Sequence, residues 1–313
     1  MQIETRPLQQ RDVAEADRII RLAFGTFLGV PDPMLVFRDS DFAHTRYRAA
    51  PDSAIAALAD GELVGSNFIT NWGSFGFFGP LSVHPRLWNQ GVAQQLLQAT
   101  MEFFARSDSG HTGLYTFSHS PKHAALYQKF DYWPQYLTPV MSKAVGPGLN
   151  QNRATLFSEL GPAQKQEALA QCRKLTDAIF EGLDVSREII AVGAQQLGET
   201  ILLFEGSIIS AFAVCHTGAG TEAGSGACYV KFAAVRPNPR AQQNFEQLLE
   251  LSEAYAASQK AAKLIAGVNM GRHEAYRTLA AKNFRADMIG VAMQKANAPG
   301  FNRPGVYILD DWR

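Results

Sequence analysis

The stretch Leu81–Thr100 combines residue types that suit binding of a phosphate group. An apolar strand ends at Val83, and the small residues Gly91 and Ala93 follow where a helix is predicted to begin. The first turn of a helix exposes unpaired backbone N–H groups and the positive end of the helix dipole. Because Gly91 and Ala93 carry little or no side chain, a diphosphate can approach these groups closely. The segment predicts a diphosphate-binding loop, although small residues also suit a tight strand-to-helix turn.

A second feature lies just upstream, where Gly79-Pro80 interrupts the apolar strand Phe75–Val83. Proline has no N–H to donate to a neighbouring strand, so it indicates a bulge or a sheet edge. A bulge would separate this strand from its neighbour and leave backbone groups free for an extended ligand arm. The alternative is an edge strand that binds nothing.

A third feature is the segment Ser118–Tyr132, which predicts a short helix. Helical spacing places Ser120, His123 and Tyr127 near one face. A tyrosine hydroxyl can give a proton to a leaving thiolate. Tyr127 could equally be an aromatic residue of the core.

Two similar halves of the chain position these features. A series of strand, turn, long helix, strand, short helix and strand recurs at an offset of about 152 residues, with Val83 matching Val235 and Phe103 matching Tyr255. The segment Val145–Asn152 is rich in Gly, Pro and Asn, which predicts a linker. We therefore expect a domain at residues 1–145 and a related domain at residues 153–313.

The hydrophobic spacing also predicts individual elements. Strands are expected at Ile3–Arg6, Ala54–Leu58, Leu63–Trp72, Phe75–Val83, Leu114–Phe117, Pro139–Lys143, several places between Ile189 and Val235, Leu264–Asn269, Ala286–Gln294 and Val306–Leu309. Helices are expected at Val13–Phe24, Gly91–Ala105, Pro121–Lys129, Ala163–Phe180, Ala241–Lys260 and His273–Lys282. The Gly-rich piece Thr217–Gly226 is expected to be a loop.

Composition excludes several classes of protein. The 313 residues include 29 Lys and Arg and 29 Asp and Glu, so no basic field favours nucleic acid as a partner. The apolar fraction of 46% is enough to build a core. Three cysteines without a paired motif indicate neither a disulfide scaffold nor a zinc site. We see no signal peptide or membrane span, and we expect a cytoplasmic protein without a metal.

Together, the three features resemble the GNAT acetyltransferase superfamily. The family's diphosphate loop has the form Arg/Gln-x-x-Gly-x-Gly/Ala, and Trp88–Ala93 matches it at Gly91 and Ala93 but not at Trp88. Leu126–Tyr132 resembles the family's Leu-Tyr-x-Lys-x-Gly-Phe, with Asp131 in place of the glycine. The resemblance covers residues 1–145 well and the second half by pattern alone.

The resemblance implies an α/β (α+β) fold with two tandem GNAT-like domains, each a mixed, mostly antiparallel twisted sheet flanked by helices. It implies acetyl-CoA as co-substrate and Tyr127 as general acid toward the CoA thiolate. Residues expected to bind the cofactor are Leu81, Ser82, Val83, Asn89, Gln90, Gly91, Val92, Ala93, Gln94 and Ser120. In the second half, Gln243 replaces Gly91, Phe245 replaces Ala93 and Leu279 replaces Tyr127, so we expect a degenerate copy that supports the first domain or shapes its acceptor cleft.

The general base is not evident, because residues 71–83 contain no carboxylate. His84, His119 and His123 are nearby, but each is better explained as a surface or supporting residue. The resemblance places the acceptor cleft at about residues 24–47. There, Asp32, Asp39 and Asp41 could attract a cationic amine or simply face solvent, and Arg46 and Arg48 are expected in solvent.

The leading hypothesis is an N-acetyltransferase that moves an acetyl group from acetyl-CoA to an amine of a small molecule or peptide by direct attack. The alternative is a non-catalytic acyl-CoA-binding or sensing protein, and a tandem interaction scaffold without cofactor is a third interpretation. The acceptor is not identified by the sequence. Either a monomer or a homodimer is expected.

Overall fold

The computed structural model describes residues 2–146 and 154–313. Most of the predicted linker, Val145–Asn152, lies outside these ranges. The helices are α1 (Val13–Leu28), α2 (Ala43–Ala49), α3 (Val92–Ala105), α4 (Pro121–Gln128), α5 (Pro162–Asp177), α6 (Ser186–Ala194), α7 (Ala241–Ser258) and α8 (His273–Ala281). The strands are β1 (Ile3–Pro7), β2 (Ala54–Ala59), β3 (Glu62–Trp72), β4 (Phe75–Phe78), β5 (Ser82–Val83), β6 (His111–Phe117), β7 (Tyr132–Ala144), β8 (Thr155–Leu156), β9 (Gly198–Glu205), β10 (Ile208–Gly218), β11 (Gly224–Val235), β12 (Lys263–Gly267), β13 (Arg285–Lys295) and β14 (Ile308–Leu309).

The two halves repeat the same order of elements. β12 and α8 begin 152 residues after β6 and α4, and α7 follows β11 as α3 follows β5. Within the described residues, fourteen strands form one sheet that is mostly antiparallel, with β4–β6 and β11–β12 as parallel pairs. The fold is therefore the expected mixed sheet flanked by helices, present twice in tandem.

The halves share strands at the centre of the sheet. The order β6-β13-β7-β12 places β13 of the second half between β6 and β7 of the first half. In return, β7 pairs with β12 of the second half. Each half thus completes the sheet of the other, so we expect the halves to unfold together rather than as separate units. The division at residues 145 and 153 itself stays a prediction.

Local sequence explains most of these elements. α1 buries Val13, Ala16, Ile19, Ile20 and Ala23 along one stripe. It ends at Gly29, whose φ of 67° suits a residue without a Cβ. The β2–β3 hairpin turns at Asp60-Gly61, both with positive φ, as the sequence predicts.

Besides the loop expected at Thr217–Gly226, which β10 and β11 shorten to residues 219–223, two predictions of secondary structure are wrong. Residues 189–194 belong to helix α6 rather than to a strand. The strand predicted over Phe75–Val83 is two strands, β4 and β5, separated by residues 79–81. The first error arises because Ile189 and Val192 are buried on one helical face, and so short an apolar run has no clear period.

Candidate functional site

The break between β4 and β5 opens the sheet. β4 pairs with β6 from Phe75 to Phe78, and β5 then pairs with β3. The N–H of Leu81 donates no hydrogen bond to another described residue. The expected bulge at Gly79-Pro80 is therefore confirmed, and it leaves backbone groups between β5 and β6 open to a ligand.

The predicted diphosphate loop lies at the start of α3. Gly91 precedes the helix with φ 84°, and Asn89 has φ 65°. The Trp88 indole N–H donates to the Val83 carbonyl at 2.8 Å, which fixes the loop to the end of β5. A Cβ built on Gly91 would meet no atom within 4 Å, so packing does not demand this glycine. The positive φ of Gly91 is what favours glycine at this position, and the absence of a side chain leaves the space beside the backbone free for a ligand.

A cavity of about 960 Å³ joins this loop to the junction of the two halves. Most of the residues predicted to bind the cofactor line it: Leu81, Ser82, Val83, Asn89, Gly91, Val92, Ala93 and Gln94. Tyr127 lines it as well. Two predicted residues make other contacts: the Gln90 amide donates to the Arg86 carbonyl, and the Ser120 hydroxyl caps α4 by accepting the His123 N–H. Their contact with a cofactor stays a prediction.

Tyr127 has a hydroxyl that no described residue engages. Its ring packs 6.0 Å from that of Phe78, and the residue is 8% exposed. Burial raises the pKa of Tyr127, so the hydroxyl stays protonated at neutral pH. It is thus a proton donor facing the cavity.

Two cavity residues on α4 differ from their sequence interpretation. The sequence analysis predicts no role for Lys122, but its ammonium lies 5.7 Å from the Trp88 ring centroid, beside the diphosphate loop. A lysine in the first turn of a helix next to that loop was the available signal. His123 packs 4.8 Å from Phe27, and burial together with Lys122 lowers its pKa, which favours the neutral imidazole. Of the three histidines considered as base, His123 is the one that lines the cavity.

The second half closes the far end of the cavity through a buried ionic network. Arg46 is 7% exposed, contrary to expectation, and binds Glu222 through Nε at 3.1 Å and Nη2 at 3.0 Å. Lys231 binds Glu222 at 2.7 Å and lies 3.4 Å from Glu188. Burial opposes ionisation of Glu222, but Arg46 and Lys231 outweigh it and hold its pKa below the ordinary range. Arg46 Nη1 also donates to the Gly79 carbonyl at 2.5 Å, which ties the bulge to the second half.

The acidic residues of the expected acceptor segment already have partners. Asp39 accepts the N–H of Ser225 at 3.0 Å and the Ser225 hydroxyl. Asp41 contacts His44 at 3.1 Å, and Asp32 caps a helical turn by accepting the Met34 N–H. These carboxylates hold the loop in place, which favours neither of the two alternatives, attraction of a cationic amine or simple exposure to solvent.

The buried His216, whose pKa is influenced by the charges of Lys231, Glu222 and Arg46, predicts a pH dependence of stability. It is 2% exposed, and burial with the nearby Lys231 lowers its pKa from 6.5 to about 3. The unfolded chain binds a proton below pH 6.5 that the folded chain does not, so stability falls as pH falls. Between pH 7 and 5 we expect His216 to cost about 2 kcal/mol.

Urea unfolding at the two pH values measures this cost. Between pH 7 and pH 5, the free energy of unfolding of His216→Gln should fall by about 2 kcal/mol less than that of the wild type. The exposed His273 gives the matched control, because His273→Gln should keep the wild-type difference. An unchanged pH dependence in His216→Gln would contradict the prediction.

In the second half, the position equivalent to Ala93 is occupied by the side chain of Phe245. Phe245 has no exposed surface, and its ring packs 5.2 Å from that of Tyr307. Its side chain belongs to the core beneath α7.

In residues 2–146 and 154–313, the His, Cys, Asp and Glu side chains form no group of three or more that could hold a metal ion. None of the helices in these ranges combines the length and apolar character needed to cross a bilayer.

Comparison with known proteins agrees with this geometry. Residues 18–132 match the model of the acetyltransferase (GNAT) family. No curated protein matched the sequence.

Solved structures align over nearly the whole chain. A proposed acetyltransferase from Pyrococcus horikoshii has a TM-score of 0.68 at 15% identity, over 97% of this chain and 93% of its own. A GCN5-related N-acetyltransferase from Sphaerobacter thermophilus has a TM-score of 0.58 at 14% identity, over 94% of this chain and 95% of its own. A tandem GNAT protein from the clavulanic acid biosynthesis pathway has a TM-score of 0.58 at 12% identity, over 94% of this chain and 98% of its own. At these identities the likeness shows the fold, which is a tandem GNAT fold over nearly the whole chain, and residues 18–132 match the GNAT acetyltransferase family model within it.

Proposed function

We propose that the protein is an N-acetyltransferase that moves an acetyl group from acetyl-CoA to the amine of a small molecule or peptide. The observation that carries the proposal is the single cavity that holds the open loop at Gly91, the parted strands and Tyr127. Backbone N–H groups at the start of α3 suit a diphosphate, and Lys122 adds a positive charge beside them. The gap after Phe78 suits the extended arm of the same ligand.

The reaction needs a donor to the oxyanion, a proton for the leaving thiolate and an acceptor for the proton of the amine. The amine attacks the thioester carbonyl, and the developing oxyanion needs a donor, for which the free Leu81 N–H is the candidate. The thiolate that leaves needs a proton, which Tyr127 can give. The attacking amine must be neutral, and it can lose its proton to water or to His123.

Calorimetry and mass spectrometry test the proposal together. We expect acetyl-CoA to bind one site per chain and an amine panel to yield a product heavier by one acetyl group. At 100 times its Kd, acetyl-CoA should stabilise the protein by about 2.7 kcal/mol. Failure to bind acetyl-CoA would contradict the proposal and favour a scaffold.

The alternative is a non-catalytic acyl-CoA-binding protein. It is favoured by one observation: both carboxylates that line the cavity, Asp39 and Glu222, are engaged by other groups. Binding of acetyl-CoA without transfer to any amine in a broad panel would support this alternative.

A further inference from the structure

We propose that the acceptor amine carries a carboxylate on an apolar body, as an aromatic amino acid does, and that Arg313 binds this carboxylate. This inference rests on the proposed function and names the substrate class of the same cavity. The second half of the chain would thereby select the substrate on which the first half acts.

Charge around the cavity favours an anionic ligand at both ends. Five Lys and Arg side chains but two carboxylates line it. Lys122 and Lys129 flank Tyr127 in sequence and belong to the proposed coenzyme side. The other three come from the acceptor loop and the second half: Arg38, Lys263 and Arg313. Such an excess of one sign raises the local concentration of the opposite charge.

The two carboxylates offset only part of this excess toward a ligand. Glu222 is bound by Arg46 and Lys231, and its side chain is 1% exposed. Asp39 is bound by the backbone and hydroxyl of Ser225. The charge of Asp39 therefore remains, because the Ser225 donors are neutral, whereas the charge of Glu222 is already paired with Arg46 and Lys231.

Arg313 has donors that the protein leaves unused. Its guanidinium lies 4.2 Å from the Tyr229 ring centroid, and Nε lies 3.3 Å from Asp311 Oδ2. Neither Nε nor Nη2 completes a hydrogen bond, although both are buried. Because these two nitrogens have almost no exposed surface, the nitrogen of the guanidinium that a ligand in the cavity can contact is Nη1.

The guanidinium is held in place from behind. Asp311, which contacts it, also accepts the Tyr229 hydroxyl at 2.9 Å, and Arg46 donates to the Arg313 carbonyl. The side chain still exposes 21% of its surface. A guanidinium fixed in this way presents Nη1 to a carboxylate, which can accept a charge-assisted hydrogen bond from it.

Apolar side chains form most of the remaining wall on this side of the cavity. They come from both halves: Phe24, Phe27, Phe37, Ile265, Met288 and Trp312. Such a surface gains free energy by burying a ring or a large aliphatic group. It gives little to a small, highly polar amine.

Three matched acceptors test the carboxylate directly. L-Phenylalanine, L-phenylalaninamide and 2-phenylethylamine share the amine and the ring but differ in the acid group. Thiol release with acetyl-CoA gives kcat/KM for each, and mass spectrometry confirms the product. We expect L-phenylalanine to exceed the other two by about tenfold or more, as loss of a charged hydrogen bond implies.

Variants of Arg313 complete the test. Arg313→Gln should lower kcat/KM for L-phenylalanine about tenfold and leave 2-phenylethylamine unchanged. Arg313→Lys, which keeps the charge but not the fork, should restore part of the loss. The exposed Arg48 gives the control, and Arg48→Gln should match the wild type with all three. A thermal melt of each variant verifies folding.

The outcomes separate this inference from the proposed function. Equal or better acetylation of the amide or the amine would overturn the carboxylate subsite while the N-acetyltransferase stands. So would an equal loss with all three acceptors in Arg313→Gln. No acetylation of any of the three, by protein that binds acetyl-CoA, would also overturn the inference. Absence of acetyl-CoA binding would instead contradict the proposed function.

Discussion

Replacing Ala93 by phenylalanine should greatly weaken binding of acetyl-CoA, because it would place in the first half the residue that fills the equivalent position of the second half. Ala93 lines the cavity in the first turn of α3, where the free N–H groups lie. Phe245 stands at the equivalent position and is fully buried. A ring at residue 93 would cover the N–H groups that a diphosphate needs. We expect the Kd for acetyl-CoA to rise about 100-fold or more, equivalent to about 2.7 kcal/mol.

Gln95→Phe is the matched control for this change. Gln95 is exposed on the same helix and does not line the cavity, so the added ring should leave affinity nearly unchanged. Calorimetry measures both variants, and a thermal melt without ligand verifies that each folds. If Ala93→Phe binds acetyl-CoA as tightly as Gln95→Phe, the diphosphate is not held at this helix start.

The local part of the site could be predicted from the sequence because its signals are short-range. Gly91 and Ala93 lie two residues apart, and the helix they begin extends over Val92–Ala105 as its apolar spacing indicates. The break at Gly79-Pro80 follows from the missing N–H of proline. Each of these features depends on backbone geometry that a few adjacent residues determine.

No short-range pattern in the sequence predicts the exchange of strands between the two halves. The sequence predicts a strand at Pro139–Lys143, whereas β7 extends over Tyr132–Ala144. Pro134 and Pro139 suggest that a strand cannot extend through them. Their partners across the ladder, Met293 and Ile289, come from β13 of the second half, and no local pattern identifies them.

Contacts between distant parts of the sequence also explain why the far end of the cavity could not be predicted. Arg46 and Glu222 are 176 residues apart in sequence, and each alone resembles a solvated surface charge. Only the fold brings them together, after which burial makes each one require the other. The role of the second half in the acceptor cleft therefore depends on tertiary structure rather than on any motif.

Replacing Tyr127 by phenylalanine should lower kcat about 100-fold while leaving affinity for acetyl-CoA within a few-fold of the wild type. The hydroxyl forms no hydrogen bond within the described residues, so its loss removes a proton donor without breaking a contact of the fold. Burial raises its pKa, so the wild-type rate should not decline at alkaline pH through ionisation of this group. Steady-state kinetics across pH, with calorimetry of acetyl-CoA, measures both effects.

Tyr132→Phe separates a chemical role from a structural one. Tyr132 is also buried, but its hydroxyl forms a hydrogen bond with Thr112 at 2.9 Å, and the residue does not line the cavity. Its loss should reduce stability by about 1 kcal/mol and leave kcat near the wild-type value. Because the two variants delete the same atom from neighbouring buried tyrosines, a fall in kcat in Tyr127→Phe alone identifies the proton donor. Equal turnover in the two variants would mean that the thiolate leaves without help from Tyr127, and water would then be the remaining source of its proton.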